Sequence, residues 1–191
     1  HPTIIYLSLQ YIFLDEINNK LKRQYMFEYT GDGCLVPKDI TSVRFNEGLI
    51  KIGEEAFFNC KSLTSITLPP SLTEIGVRAF YGCCNLKEVT LNNGLQTIGS
   101  VFGMCSSLES IKLPSTVTEI GNSAFYRCSN LREVTFNNRL QSIGLEAFGD
   151  CSFLENVKLP FSRLPCSFVI NVGNETSKAI LRQIYWIQIH L

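Results

Sequence analysis

Residues 117–139, VTEIGNSAFYRCSNLREVTFNNR, decide the fold because the chain repeats this stretch. When the sequence is shifted against itself, glycines, phenylalanines and cysteines fall into register every 23 residues, with one step of 22. A fixed period of this length is typical of a solenoid, whose stacked repeats bury a shared core. The residues in register are Gly53, Gly76, Gly99, Gly121 and Gly144; Phe57, Phe80, Phe102, Phe125 and Phe148; and Cys60, Cys83, Cys105, Cys128 and Cys151.

The repeats set the expected domain boundaries. We expect a solenoid over residues 25–162, with a half repeat at 40–48 and full repeats at 49–71, 72–94, 95–116, 117–139 and 140–162. Residues 1–24 hold an apolar run, which is either a helix covering the first repeat or the remnant of a membrane or signal segment. Residues 163–191 predict an irregular strand near 168–172 and then an amphipathic helix, which either caps the array or binds a partner, unless this end is a disordered tail.

Each repeat divides into three parts. The first, L-x-x-I-G, predicts a short extended segment whose glycine has either a positive φ or a close backbone neighbour. The second, A-F-x-x-C, places its apolar residues on one face of a single helical or 3₁₀ turn. The third, L-x-x-I-x-L, has the alternation of a strand. Stacking would bring the phenylalanines, leucines and isoleucines into continuous interior ladders.

The cysteines are interpreted as structural. Five of the eight occupy one position of the repeat, where a thiol acts as a small buried hydrophobe. Neighbouring ladder cysteines would approach disulfide distance, but a ladder of five cannot pair completely. No Cys/His cluster has the spacing of a zinc site, so we expect neither a metal nor a cofactor.

A second period of 45 residues lies within the first. The residue after each third-part strand alternates between asparagine and proline, which are alternative ways to end a strand. One repeat is a residue short, because Gly99-Ser-Val-Phe102 corresponds to Gly121-Asn-Ser-Ala-Phe125. We expect a tighter turn or a local bend in that repeat. The residues of the alternation are Asn46, Pro69, Asn92, Pro114, Asn137 and Pro160.

Composition excludes several classes of function. The formal net charge is zero, which gives no indication of a nucleic-acid partner. The two histidines, His1 and His190, lie at the chain ends, so the repeats contain no histidine for catalysis. The apolar run near the N-terminus has eleven residues, too few for a membrane span. Since the sequence starts at His1, we expect a fragment or a processed product.

The pattern L-x-x-I-G-x-x-A-F-x-x-C-x-x-L-x-x-I-x-L-P over residues 40–162 resembles the BspA-like (Treponema pallidum type) leucine-rich repeats. The resemblance implies an α/β repeat fold: a right-handed solenoid with a parallel sheet on one face, a short helical turn per repeat and terminal capping helices. It also implies adhesion or protein binding, with no catalytic residues. It favours a secreted or cell-surface location, although the compartment itself stays open.

If the third parts form the exposed sheet, their polar positions point outward and form the candidate partner-binding face. The alternative is an ordinary solvated surface. Phe58, Tyr81 and Tyr126 are possible anchors on another side of the solenoid. The candidate residues are Ser65, Thr67, Glu88, Thr90, Ser110, Lys112, Glu133, Thr135, Asn156 and Lys158.

The sequence therefore predicts a non-catalytic recognition module, binding a protein or a surface ligand. A scaffold segment of a larger multidomain protein is the alternative, and an enzyme is a remote one. No nucleic acid, metal or cofactor is expected as a partner.

Overall fold

The computed structural model describes residues 26–31, 33–159, 169–170, 175, 179–180 and 182. The expected N-terminal segment at 1–24, Cys166 and most of the expected C-terminal helix lie outside the described residues. The architecture is a parallel β-solenoid of about five turns. Its strands are β1 Phe27–Tyr29, β2 Val43–Phe45, β3 Lys51–Ile52, β4 Ser65–Thr67, β5 Glu74–Ile75, β6 Glu88–Thr90, β7 Thr97–Ile98, β8 Ser110–Lys112, β9 Glu119–Ile120, β10 Glu133–Thr135, β11 Ser142–Ile143, β12 Asn156–Lys158 and β13 Val169–Ile170.

The strands form two rows, because both extended parts of each repeat pair with the equivalent part of the next. The L-x-x-I-x-L strands β8, β10 and β12 pair in parallel, and Val134 lies between Ile111 and Val157. The L-x-x-I-G segments pair similarly, in the order β7-β9-β11-β13. The sequence predicted one sheet, formed by the L-x-x-I-x-L segments, and described the L-x-x-I-G segments only as extended. The row of L-x-x-I-G strands is therefore a second row that was not predicted. Strand β13 confirms the strand expected near residues 168–172.

Both rows are interrupted between the repeats 72–94 and 95–116. Strands β5 and β7 belong to different sheets, and so do β6 and β8. The turn segments of these two repeats remain connected, since the amides of Arg78 and Gly82 donate to the carbonyl oxygens of Ser100 and Gly103. The solenoid is therefore continuous along its turns and open along its strands at this junction.

The A-F-x-x-C segments are turns, not the helical turns that the sequence predicted. In the first full repeat, the amides of Glu55, Phe57 and Asn59 donate to carbonyl oxygens of the next repeat. The amides of Phe58 and Cys60 donate within the repeat, each to the residue three positions earlier. Because successive amides alternate between these two sets of acceptors, some residues must adopt the left-handed conformation with positive φ. Residues of an α-helix do not adopt it. The non-glycine residues with positive φ are Glu55, Asn59, Arg78, Met104, Ser123, Arg127, Glu146 and Asp150.

The phenylalanine ladder forms the centre of the core, as predicted. Consecutive rings from Phe57 to Phe148 stack at centroid distances between 4.9 and 5.6 Å, with interplanar angles of 10° or less. All five rings are buried. Stacked aromatic side chains contribute both apolar burial and ring–ring attraction, so this column joins the repeats into one core.

The repeated glycine is explained by close approach rather than by a positive φ. A Cβ on Gly76 would lie 2.5 Å from the amide nitrogen of Glu54, and one on Gly144 would lie 2.5 Å from that of Asn122. Neither glycine has a positive φ. Gly99 is the exception, since a Cβ there would have no neighbour within 4 Å. It faces the interruption between β5 and β7, where the preceding repeat has moved away.

The short repeat has a tighter first turn, as predicted. The amide of Val101 donates to the carbonyl of Gly99, only two residues earlier, at 2.8 Å. Full-length repeats use a three-residue step here, as in the bond from Ala147 to Gly144. The missing residue removes one left-handed position, and the strands on both sides of it, β7 and β8, do not pair with the previous repeat.

Strand β1 extends the array before the half repeat and was not predicted. It pairs with β2 in parallel, and Tyr29 is buried against Phe45 and Phe57. The Tyr29 hydroxyl also accepts a hydrogen bond of 3.0 Å from the amide of Gly53. Tyr29 therefore covers the first ring of the phenylalanine ladder, where a preceding repeat would otherwise stand.

Candidate protein-binding face

The ten residues of the candidate partner-binding face lie on five strands of the L-x-x-I-x-L row, β4, β6, β8, β10 and β12. Eight of the side chains are exposed, while Glu133 and Thr135 are half-buried. Four of the five residues between them, such as Val134, are buried in the core, and Val89 is half-buried. The strand alternation and the core ladder therefore hold these polar side chains in two outward columns, spaced by the separation of the strands.

One ion pair crosses this face. The Lys158 Nζ lies 2.6 Å from Glu133 Oε2, joining β12 to β10. Lys112 and Glu88 occupy the equivalent positions on β8 and β6, but among the described residues they form no ion pair. The difference follows from strand pairing, because β10 and β12 are hydrogen-bonded to each other and β6 and β8 are not.

A cleft of about 350 Å³ opens on this face at the interruption. It is lined by Val89, Thr90, Leu91 and Asn93 from one repeat, and by Lys112, Leu113 and Pro114 from the next. Val89 and Leu91 are only half-buried, whereas the matching residues of the flanking repeats are buried. Sequence reasoning missed this cleft. The one-residue deletion after Gly99 was its only sign in the sequence.

The aromatic residues Phe58, Tyr81 and Tyr126 lie in the turn segments and are half-buried. Phe58 and Tyr81 stack at 5.6 Å, and the guanidinium of Arg78 lies 5.8 Å from the Tyr81 ring centroid. Arg127 lies 5.1 Å from the Tyr126 ring centroid in the same way. These rings are largely occupied by contacts within the chain, and they do not join the candidate face.

A larger groove, of about 720 Å³, runs along the turn segments and crosses all five full repeats. Polar and small side chains line most of it, including Ser106, Ser129 and Ser152, with Cys84 and Met104 near its middle. Arg127 and Asp150 form an ion pair of 3.2 Å at one end. This groove contains none of the candidate face residues.

The ladder thiols are unsuited to chemistry. Each of the four later thiols donates to the carbonyl of the ladder phenylalanine one repeat earlier, at 3.2 Å, as Cys128 does to Phe102. Burial raises the pKa of Cys83 and that of Cys151 to about 12. Burial also raises the pKa of Cys105 and Cys128 well above the ordinary value. All seven cysteines of the described part are free thiols.

In the part of the chain that the structure describes, His, Cys, Asp and Glu residues form no group of three that could hold a metal ion. None of the helices formed by those residues has the length and apolar character needed to cross a membrane.

The solenoid and its repeat pattern can now be compared with known proteins. The sequence profile of the BspA type leucine rich repeat region matches residues 28–155, in six copies. The chain belongs to this family. The matched residues include the phenylalanine and cysteine ladders and eight of the ten candidate face residues; Asn156 and Lys158 lie just beyond them. The resemblance predicted from the sequence is thereby confirmed.

Two solved structures of leucine-rich repeat proteins share the fold. A leucine rich cell surface protein from Faecalibacterium prausnitzii is 29% identical over 72% of this chain, with a TM-score of 0.60. A leucine-rich repeat protein from Bacteroides ovatus is 32% identical over 71% of this chain, with a TM-score of 0.56. The chain covers 32% and 33% of these two proteins, about a third of their length. No curated protein matches the chain in sequence.

Proposed function

We propose that the chain is a non-catalytic recognition module, which binds a protein or another surface ligand through the outward face of β4, β6, β8, β10 and β12. The observation that carries this proposal is the geometry of that face. Two columns of polar side chains stand on strands whose main chain is fixed by the core, so binding does not require the backbone to become ordered.

Family membership supports the proposal. BspA type repeats form a scaffold that is generally non-catalytic, and one structural relative is described as a cell surface protein. By extension from that description, we propose a surface or secreted location and an adhesion role for this chain. The same proposal includes the expected domain boundaries, at residues 1–24, 25–162 and 163–191. It also includes a right-handed solenoid and a helix that caps its last segment.

The test compares two charge-reversal variants after partner capture. The first variant, E88K/K112E/E133K, changes the candidate face. The matched control, K51E/E74K/E119K, changes the other row of strands and alters the net charge by the same amount. Immobilised chain captures its partner, the partner is identified by mass spectrometry, and its affinity for each variant is measured by calorimetry.

We expect the first variant to weaken binding at least about tenfold, because reversed charges across an interface repel. The control should bind as the parent chain does. Equal binding by all three proteins would reject this face as the site. Loss of binding only in the control would place the site on the other row of strands.

A further inference from the structure

We propose that the cleft between β6 and β8 is the anchor pocket of this face, and that it accepts an apolar side chain lying next to a carboxylate. This inference rests on the proposed function and names the chemistry of the partner segment. The cleft is defined by Val89, Thr90, Leu91, Asn93, Lys112, Leu113 and Pro114, and is called the anchor pocket below.

The floor of the anchor pocket is apolar. Val89 is half-buried, whereas its ladder equivalents Ile66, Ile111 and Val134 are buried. Leu91 is likewise half-buried, and its equivalents in the neighbouring repeats are buried. These two residues thus keep in contact with water apolar area that their equivalents in the two adjoining repeats bury. An apolar side chain of a partner would bury that area, which is favourable at about 25 cal/mol per Å².

The rim of the anchor pocket carries one charged side chain, that of Lys112. At the equivalent position two repeats later, Lys158 is neutralised by Glu133 at 2.6 Å. Lys112 has no such partner among the described residues, because the interruption separates it from Glu88. Its ammonium group is therefore available to a carboxylate beside the bound side chain. The same repeat position thus supplies a paired lysine in one place and an available lysine at the pocket.

The anchor pocket is large enough for one apolar side chain together with the carboxylate-bearing residue beside it. Its volume of about 350 Å³ is near the lower end of the range for ligand pockets, roughly 300–1,000 Å³.

The test uses short peptides and nuclear magnetic resonance of methyl-labelled protein. The probe Ac-Gly-Asp-Phe-Gly-NH₂ presents an apolar side chain beside a carboxylate. Ac-Gly-Lys-Phe-Gly-NH₂ reverses the charge, and Ac-Gly-Asp-Ser-Gly-NH₂ removes the apolar group. Ac-Gly-Gly-Phe-OH supplies its carboxylate from the C-terminus instead of a side chain, which separates the two possible sources.

We expect saturable shifts of the Val89, Leu91 and Leu113 methyl signals with the Asp-Phe probe, and much smaller shifts with the two control peptides. The variant K112E should weaken this binding about tenfold, because attraction becomes repulsion. The matched variant K61E should leave it unchanged, since Lys61 lies along the turn segments and belongs to neither the face nor the pocket. Both lysines are exposed, so neither variant should perturb folding.

The absence of saturable shifts at these three residues with both carboxylate probes would overturn the proposal. Equal binding of the Asp-Phe and Lys-Phe probes would overturn the assignment of Lys112. If a captured partner still loses affinity for E88K/K112E/E133K while the single variant K112E binds it normally, the face remains the binding site and the anchor pocket is rejected.

Discussion

The side chain of Asn137 donates a hydrogen bond of 2.6 Å to the backbone carbonyl of Pro114, one repeat earlier. The same amide also donates to the carbonyl of Val117 at 2.8 Å. Asn92 makes a similar pair of bonds, to the carbonyl of Pro70 in the preceding repeat and to that of Leu72 at the start of its own repeat. Asparagine therefore satisfies carbonyl oxygens of a turn that begins with proline. This contact gives the 45-residue period a physical meaning, since it links repeats in pairs.

Replacing Asn137 with alanine should lower the free energy of unfolding by about 1–3 kcal/mol, because two buried carbonyl groups lose their donor. Asn138 is the matched control, since it is the next residue, has the same type and is exposed. Its replacement with alanine should change stability by less than about 0.5 kcal/mol. Urea denaturation measures both values, and equal losses for the two variants would contradict the capping role.

Alanine substitutions at two equivalent glycines should differ sharply. Gly144→Ala places a Cβ within 2.6 Å of backbone atoms of Asn122 and Gly121, and should lower the free energy of unfolding by about 1–3 kcal/mol. Gly99→Ala places its Cβ in open space, with no strained φ, and should be neutral or slightly stabilising. Thermal unfolding of the two variants checks this. Similar losses would show that the gap beside Gly99 is closed.

Truncation of the aromatic core should strongly lower the free energy of unfolding. Phe125→Ala removes a fully buried ring from the middle of the ladder and should cost about 3–5 kcal/mol in unfolding free energy. Tyr126→Ala is the control, because the neighbouring ring is half-buried and outside the ladder, so its cost should be clearly smaller. Chemical denaturation gives both values. A loss below about 1 kcal/mol for Phe125→Ala would refute the ladder.

The buried thiols should make stability fall at alkaline pH. Burial raises the pKa of Cys83 to about 12 in the folded chain, from an ordinary value of 9.0. The unfolded chain therefore loses its proton first. The stabilising contribution is complete below pH 9 and is lost as the pH rises from 9 towards 12. Within this window each such thiol should remove about 1.4 kcal/mol of stability per pH unit.

The variant C83A isolates this contribution from other groups that titrate in the same range. Urea denaturation between pH 8 and 11 should show a shallower loss of stability for C83A than for the parent chain. The pH dependence is compared, so a constant loss from truncation does not matter. Identical slopes would mean that the Cys83 thiol is not protected from ionisation in the folded state.

The core was predictable because each ladder residue recurs at a fixed position. Phe57 through Phe148 needed no more than their spacing to be placed in one column. The turn geometry was not predictable in this way. Ala124, Phe125 and Cys128 have the same spacing in a helical turn as in successive β-turns, and the left-handed residue between them is Arg127, which does not indicate a positive φ.

The missed features share one cause, which is that the repeat pattern does not describe its own exceptions. Tyr29 pairs with Phe45, 16 residues later rather than a full period, so nothing in the periodicity pointed to β1. The deletion after Gly99 was visible, but its effect depends on how the two adjoining repeats respond in three dimensions. The positions of the candidate face residues follow from strand alternation. Whether a partner uses them stays a prediction.

The left-handed position two residues after each ladder phenylalanine is filled by Asn59, Gly82, Met104, Arg127 and Asp150, which have little chemistry in common. Backbone hydrogen bonds to the adjoining repeats enforce the conformation there, so the side chain is not what specifies the shape. Mutation can therefore exchange charge, size and polarity along this column while the main chain keeps its course. The groove beside it is a surface that evolution, or an engineer, can diversify one residue at a time.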